Sequence, residues 1–150
     1  MINSAVILII PSASYRTGPF MNAIKKLDLK VLVISDKSQV FSRKYPNSLM
    51  IMNFDHWKDR IYEIRKWCDC NNLKAVIGVD EESIVLAANI SNYLHLEHNP
   101  VESVLLTKDK YLMRIEFEKA GVNSPWFKYY SIHDSHDKMI NEISFPCVIK

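Results

Sequence analysis

Apolar residues in the first hundred positions are gathered into short continuous runs. Runs of this length that are rich in β-branched residues predict strands covered on both faces, as in a parallel sheet. Four such runs occur, the third weaker than the others: residues 5–10, 30–35, 48–53 and 74–79. Between them, apolar residues recur at helical spacing and predict helices at residues 18–27, from Trp57 to Cys68, and at residues 82–94. Asp55 is the predicted N-cap of the second of these helices.

This alternation of strands and helices predicts an α/β fold. Short connections between alternating elements favour a doubly wound, mostly parallel sheet. We expect at least four strands before Pro100, with the second strand beside the first. In such a sheet, ligands bind beyond the carboxyl ends of the strands, so the loops there are the first place to look for chemistry.

The pattern changes after Asn99-Pro100. Two helical stretches, at residues 101–106 and 107–120, follow with no strand between them. An extended segment at 126–131, a helix at 135–143 and a strand at 145–150 complete the chain. We therefore predict two domains, residues 1–100 and residues 101–150, the second being the truncated start of a larger domain.

Composition and charge exclude several classes of function. The apolar share of 48% and the charged share of 24% are typical of a globular domain. A net charge of +2 without a clustered basic stripe argues against a nucleic-acid partner. No apolar run reaches the roughly 20 residues of a membrane-spanning helix, and the N-terminus does not resemble a signal peptide. We expect a cytoplasmic protein with no membrane partner.

Most polar residues near the strand ends have structural explanations. The loop from Ser12 to Gly18 lacks the glycines of a dinucleotide or P-loop site, so such a site is disfavoured. We interpret Tyr15 and Arg16 as a solvated loop, and Asp80 as the N-cap of the following helix. A further role for Asp80 in facing a substrate stays open because it follows a strand end.

No metal site is expected from the histidines and cysteines. His133 and His136 lie at a polar helix start, which favours a solvated terminus, and His95 and His98 receive the same interpretation. The spacing of Cys68 and Cys70 does not match common metal or redox motifs. We expect Cys68, Cys70 and Cys147 to be free thiols.

The helix predicted after residue 107 carries the most informative charges. Its apolar residues Met113, Phe117 and Ala120 share one face, which predicts packing there. Lys110 and Arg114 lie one turn apart on another face. Like charges at this spacing cost a helix about 0.2–0.5 kcal/mol, which a bound anion or a nearby acid would offset.

Three segments resemble the ATP-grasp superfamily of ligases. The run DKYLMRIEFEKAGVNSP resembles the family signature in which Asp-Lys opens a helix, an Arg follows, and Ala-Gly-Val with a nearby Pro leads into the nucleotide-binding domain. The terminal FPCVIK resembles the family strand written aromatic-Pro-x-Val-x-Lys-Pro. Upstream, VIGVDEESIVLAANISNYLHLEHNP is similar to the end of the domain that precedes the ATP-grasp fold. The resemblance thus spans nearly the whole chain.

The resemblance implies a fold and an activity. The fold would be a Rossmann-like pre-ATP-grasp domain followed by the truncated start of an ATP-grasp domain. The whole enzyme, of the carbamoyl-phosphate-synthase-like or amino-acid-ligase branch, would use ATP and Mg²⁺ to activate a small carboxylate as an acyl phosphate that an amine then attacks. Lys110 and Lys150 match family positions that contact the nucleotide phosphates, a role suited to lysine as a point charge. Arg114 matches a frequent family position and is the third nucleotide-binding candidate.

Other family features are missing from these 150 residues. They include the proline after Lys150, the glycine-rich loop over the phosphates, the adenine-contacting linker and the magnesium ligands. We therefore assign no catalytic residue and expect the isolated chain to be inactive, because phosphoryl transfer needs the metal to neutralise charge.

Non-enzymatic classes remain alternatives. One is a doubly wound regulatory module, such as a receiver-like or small-ligand domain, although Pro11, Ser12 and Ala13 stand where a receiver needs acids. Another is an adaptor that works through protein contacts. The oligomeric state is left open by the sequence.

Overall fold

The computed structural model describes residues 4–38 and 48–149. Contacts within the chain divide it into two compact units, Met1–Lys108 and Asp109–Lys150, which we call the first and the second unit. The domain boundary that the sequence predicts between residues 100 and 101 stays a prediction.

The described residues of the first unit form a four-stranded parallel sheet with the strand order β3-β2-β1-β4. β1 pairs in parallel with β2 on one side and with β4 on the other, and β2 pairs in parallel with β3. The strands are β1 (Ser4–Ile9), β2 (Lys30–Ser35), β3 (Leu49–Ile51) and β4 (Asn72–Gly78). The prediction of a parallel sheet of at least four strands, with the second beside the first, is confirmed.

Helices cover both faces of this sheet, as the doubly wound prediction requires. The α-helices in the described part of the first unit are α1 (Thr17–Lys26), α2 (Ile61–Asp69), α3 (Glu81–Tyr93) and α4 (Val101–Lys108). Successive residues of a strand point to opposite faces. Ile7 and Ile9 of β1 accordingly share a core cluster with α2 and α3, whereas Val6 and Leu8 share another with α1. Each fully buried Ile or Leu stabilises the fold by about 1.5–3 kcal/mol relative to leaving it exposed.

Gly78 lies at the end of β4, where the start of α3 comes close to the strand. A Cβ atom added at this position would lie 2.7 Å from the carbonyl oxygen of Ser83 and 2.8 Å from the backbone nitrogen of Ile84. Only glycine leaves room for this approach. The absence of a side chain at Gly78 therefore fixes the start of α3, and with it Asp80, against the sheet.

The segment between β3 and α2 differs from the prediction. Trp57–Arg60 form a 3-10 helix, and α2 begins only at Ile61 with Arg60 as its N-cap. Asp55 does not cap this helix, and its backbone N–H instead donates to Asn53 Oδ1 at 2.9 Å. The predicted N-cap is wrong because an Asx turn and a tighter helical turn separate Asp55 from α2.

The second unit contains two helices in its described part, α5 (Lys110–Lys119) and α6 (His136–Glu142). Lys128 Nζ and the Tyr130 hydroxyl both donate to Glu142 Oε2, at 2.6 and 3.1 Å, and tie the preceding segment to the end of α6. The predicted helix at residues 135–143 is confirmed, with Ser135 as the N-cap.

No strand forms among residues 109–149. The strand predicted at residues 145–150 is wrong for residues 145–149, and Lys150 lies outside the described residues. Strands are stabilised by hydrogen bonds to a neighbouring strand, and the described part of this unit contains no strand that could act as the partner. Residues 126–131 likewise form no regular element.

The described part of the second unit has no buried residue. Phe117, expected on the packing face of α5, is 37% exposed, and Val148 is 81% exposed. The ring of Tyr111 contacts those of Phe127 and Tyr129, with centroids 5.7 and 5.5 Å apart. The apolar positions of this unit are thus grouped on its surface rather than enclosed in a core.

Candidate functional site

The strand order changes direction at β1, and the space between the loops at the carboxyl edge there is called the crevice. From β1 the chain moves outward to β2 and β3, then returns to place β4 on the other side of β1. The loops that follow β1 and β4 therefore diverge, and open α/β sheets bind ligands at such a switch in strand order. Five residues lie in the loops at this edge and are called here the carboxyl-edge cluster: Ser12, Tyr15, Arg16, Asp36 and Asp80.

Asp36 is held by the loop after β1. Its Oδ1 accepts a hydrogen bond from the backbone N–H of Ser12 at 2.6 Å, and its Oδ2 accepts one from Ser12 Oγ at 2.9 Å. Burial alone raises the pKa of Asp36, but the two bonds from Ser12 outweigh that effect and lower the pKa below its ordinary value. The carboxylate of Asp36 therefore links the loop after β1 to the loop after β2.

Asp36 also bears on the choice of ligand class. It directly follows β2, where dinucleotide-binding folds keep an acid for the ribose hydroxyl. Here both carboxylate oxygens accept hydrogen bonds from Ser12, and the first loop lacks the required glycines. Asp36 is thus engaged by Ser12 at the position where such folds bind the ribose, and the exclusion of a dinucleotide site stays a prediction.

Arg16 spans the crevice from the first loop to the end of β4. Its Nη1 donates to the Val79 carbonyl at 3.3 Å, and its Nε donates to the Tyr15 hydroxyl at 3.2 Å. The bond to Tyr15 is the main cause that raises the pKa of Arg16 above its ordinary value. Arg16 Nε lies 3.6 Å from Asp80 Oδ1, close enough for an ion pair. Tyr15 and Arg16 are both exposed, as the sequence predicts, and Arg16 in addition contacts Val79 and Asp80.

The predicted N-cap at Asp80 is confirmed. Asp80 precedes α3, its N–H donates to Ser83 Oγ at 3.1 Å, and the Ser83 hydroxyl donates to the Asp80 carbonyl at 2.8 Å. Glu81 and Glu82 occupy the first turn, where acids complement the positive end of a helix. The side chain of Asp80 is 23% exposed and takes part in the capping box with Ser83.

Sequence analysis did not identify the bond between Ser12 and Asp36 or the one from Arg16 to Val79. Ser12 and Asp36 are 24 residues apart, and Arg16 and Val79 are 63 residues apart. The sequence does show that each of these residues lies near the end of a predicted buried strand, and the neighbours of such strands in the sheet can be predicted.

A cavity lies at the opposite edge of the sheet. It has a volume of about 490 Å³ and is lined by residues that include Asp28, Lys30, Trp67 and Asn71. These residues lie near the amino ends of β2 and β4, and the cavity also borders Ser48, next to residues that the structure does not describe. We place the candidate site at the carboxyl edge, because ligands of open parallel sheets bind there.

In the second unit, the Asp-Lys motif opens a helix as the resemblance implies. Asp109 is the N-cap of α5, and its side chain accepts hydrogen bonds from the N–H groups of Tyr111 and Leu112 at 2.9 and 3.0 Å. Lys110 is the first residue of α5 and is exposed. Arg114, one turn later, donates from Nη1 to Ser124 Oγ at 2.8 Å.

The Ala-Gly-Val motif ends the same helix. Gly121 has a φ of +68°, a backbone conformation that favours glycine. Its N–H donates to the Glu118 carbonyl, and the Val122 N–H donates to the Phe117 carbonyl, which together form a Schellman motif. The motif residues from Asp109 to Val122 thus start and stop one helix that presents Lys110 and Arg114.

The nucleotide-binding role of these residues stays a prediction. Lys110 and Arg114 lie on α5, and Lys150 lies outside the described residues. Their predicted convergence on the phosphates of a nucleotide is therefore untested.

Within residues 4–38 and 48–149, no three His, Cys, Asp or Glu side chains are grouped so as to hold a metal ion. The His133 N–H donates to Ser131 Oγ, and the Ser131 N–H donates to Asp134 Oδ2, so this segment forms a turn before α6. Over the same ranges, no helix is both long enough and apolar enough to cross a membrane.

Comparisons with known proteins find similarity at the level of structure. Neither a protein-family model nor a curated protein sequence matches the chain. An L-amino acid ligase from Bacillus licheniformis is similar in structure, with a TM-score of 0.66 and 16% identity over 83% of this chain. A phosphoribosylglycinamide synthetase from Anaerococcus prevotii is similar with a TM-score of 0.59 and 20% identity over 81% of this chain.

At these identities the similarity shows a shared fold. The matched region covers 32% of the first structure and 30% of the second, so the chain spans about a third of either protein. The predicted fold class, an α/β doubly wound parallel sheet, is confirmed by the sheet and by the fold shared with these two proteins.

Proposed function

We propose that the chain is the N-terminal part of an ATP-dependent carboxylate–amine ligase of the ATP-grasp superfamily. One observation carries the proposal: about four-fifths of the chain shares its fold with two solved ligases. The Asp-Lys and Ala-Gly-Val motifs, which start and stop α5, support it. The L-amino acid ligase among these neighbours favours the amino-acid-ligase branch over the carbamoyl-phosphate-synthase-like one.

The proposed reaction has two steps. A carboxylate oxygen of the substrate attacks the γ-phosphorus of ATP, ADP leaves, and an acyl phosphate forms. The nitrogen of an amine then attacks the acyl carbon, phosphate leaves, and the amine loses a proton. In this scheme the first unit supplies part of the substrate pocket at the carboxyl edge.

Within this scheme the lysines bind the nucleotide. Lys110, exposed at the start of α5, and Lys150 would contact the phosphates of ATP, and Arg114 would support them. Lysine suits this role because its ammonium group is a compact point charge with three donors. The described residues present no metal-ligand cluster, so the ligands for Mg²⁺ would come from the rest of a longer parent protein.

Trapping of the acyl phosphate tests this proposal. The complete parent protein is incubated with ATP, Mg²⁺, a panel of small carboxylates and hydroxylamine, which converts an acyl phosphate to a hydroxamate. We expect hydroxamate and ADP in equal amounts with the parent, and neither product with the isolated 150-residue chain. ADP formation that never yields hydroxamate with any carboxylate would contradict the mechanism, and a parent that does not consume ATP would favour a regulatory or adaptor module.

A further inference from the structure

The cavity at the amino edge of the sheet is large enough to hold a small organic molecule. Its volume of about 490 Å³ lies within the range of roughly 300–1,000 Å³ that is typical of ligand pockets. Its walls come from the second half of α1, the start of β2 and the end of α2. Three elements of the first unit thus enclose a space in which a ligand could be held from several sides.

Five apolar residues line this cavity: Met21, Ile24, Leu29, Val31 and Trp67. Met21 and Ile24 are only 7% and 8% exposed and belong to the core cluster that holds α1 against the sheet, so this part of the wall is already in place without a ligand. The thioether of Met21 and the indole of Trp67 are both groups that make favourable contacts with aromatic rings. The apolar part of the cavity therefore suits an aromatic ring.

Charged residues also line the cavity, namely Lys25, Lys30 and Asp28. Lys30 is exposed, and its ammonium group makes no hydrogen bond or ion pair within residues 4–38 and 48–149. A lysine can lay its methylene stem along apolar surface and keep its ammonium group at the rim. Lys30 thus offers a positive charge beside the apolar wall.

The helix ends at this cavity do little to offset that positive charge. The carboxyl end of a helix carries a partial negative charge on the carbonyl groups that lack a partner. At the end of α1, the N–H groups of residues 27–29 donate to the carbonyls of residues 23–25. At the end of α2, the backbone N–H and the Nδ2 of Asn71 donate to the carbonyls of Cys68 and Trp67, at 2.9 and 2.7 Å. With these carbonyls paired inside the chain, the two lysines outweigh Asp28 and the cavity favours an anion.

We propose that this cavity binds an aromatic carboxylate. The ring of the ligand lies against Trp67 and the apolar residues of α1, and its carboxylate pairs with Lys30, while Lys25 adds to the positive potential. The assignment does not rest on the proposed function, because it concerns the opposite edge of the sheet from the carboxyl-edge cluster. The fold class alone does not predict a ligand at this edge, since parallel sheets bind ligands at the carboxyl ends of their strands.

Titration of the 150-residue chain with cinnamate, followed by two-dimensional NMR of the backbone amides and the tryptophan indole N–H groups, tests the assignment. We expect cinnamate to shift the amide signals of Leu29, Lys30, Val31 and Asn71 and the indole signal of Trp67. Cinnamamide keeps the ring without the charge, and acetate keeps the charge without the ring. Each of these two should bind at least about fivefold more weakly than cinnamate, a difference of about 1 kcal/mol.

Lys30→Gln should weaken cinnamate binding at least about fivefold, because it removes the ammonium group that pairs with the carboxylate. The matched control is Lys26→Gln, since Lys26 is also exposed and ends α1 but does not line the cavity. The control should bind cinnamate like the parent chain. Surface substitutions of this kind change stability little, and circular dichroism of both variants verifies that they are folded.

The assignment is overturned if cinnamate shifts none of the signals at the cavity, if cinnamamide binds as tightly as cinnamate, or if Lys30→Gln binds cinnamate like Lys26→Gln. Shifts confined to the exposed apolar residues of the second unit would overturn it as well, because they would show adventitious binding of the ring.

Discussion

Replacement of Gly78 by alanine should destabilise the first unit, because α3 leaves no space for a side chain there. The new Cβ would lie 2.7 Å from the Ser83 carbonyl oxygen and 2.8 Å from Ile84 Cα. Both atoms belong to the backbone, so a rotamer change cannot relieve the overlap and α3 must move. Overpacking of this kind costs about 1–3 kcal/mol. In a domain of about 100 residues, this should lower the midpoint of thermal unfolding by about 5–20 °C.

Circular dichroism during heating measures this effect, and Gly18→Ala is the matched control. A Cβ atom at Gly18, in the first turn of α1, has no atom within 4 Å, so this variant should melt at the parent temperature or slightly above it. If Gly78→Ala melted like Gly18→Ala, α3 would not approach β4 as closely as described, and the position of Asp80 in the crevice would lose its support.

Three further predictions concern titration, reactivity and local stability. The carboxyl of Asp36 should titrate below its ordinary pKa by NMR, and Ser12→Ala should raise that pKa. Since the folded-state pKa lies below the unfolded value, this stabilisation is present above the unfolded pKa and is lost as the pH falls through the folded one. Burial raises the pKa of Cys68 to about 11, so iodoacetamide at pH 8 should modify the exposed Cys70 and Cys147 before Cys68. Amides of residues 109–149, where nothing is buried, should exchange with deuterium before those of the sheet.

The sheet could be predicted from sequence because a doubly covered strand is apolar along its whole length. The run from Ala5 to Ile10 is buried throughout, so its pattern is local and unambiguous. The end of α5 was equally readable, because Gly121 adjoins it, whereas its start was predicted at residue 107 and lies at Lys110, after the N-cap Asp109. Strands and helix ends that depend only on residues close in sequence can therefore be predicted from the sequence.

The errors arise where distant residues decide the outcome. Residues 145–149 have the apolar pattern of a strand but no strand to pair with in the described chain, and pairing depends on a partner elsewhere. The candidate site is also non-local, since Arg16 meets Val79 across 63 residues. The strand order brings those loops together, and the local sequence patterns predicted only part of that order.

The most direct test of the central claim is the ATP affinity of lysine variants of the complete parent protein, measured by calorimetry. Lys110→Met and Lys150→Met keep most of the apolar stem and remove the charge. The control is Lys119→Met, because Lys119 pairs with Glu116 at 2.7 Å on the exposed side of α5 and has no counterpart in the nucleotide motif. A lost charged contact is worth about 1.5–3 kcal/mol, so each of the first two variants should bind ATP about 10- to 100-fold more weakly, with the control unchanged. Affinities equal to that of the parent in both variants would contradict the account.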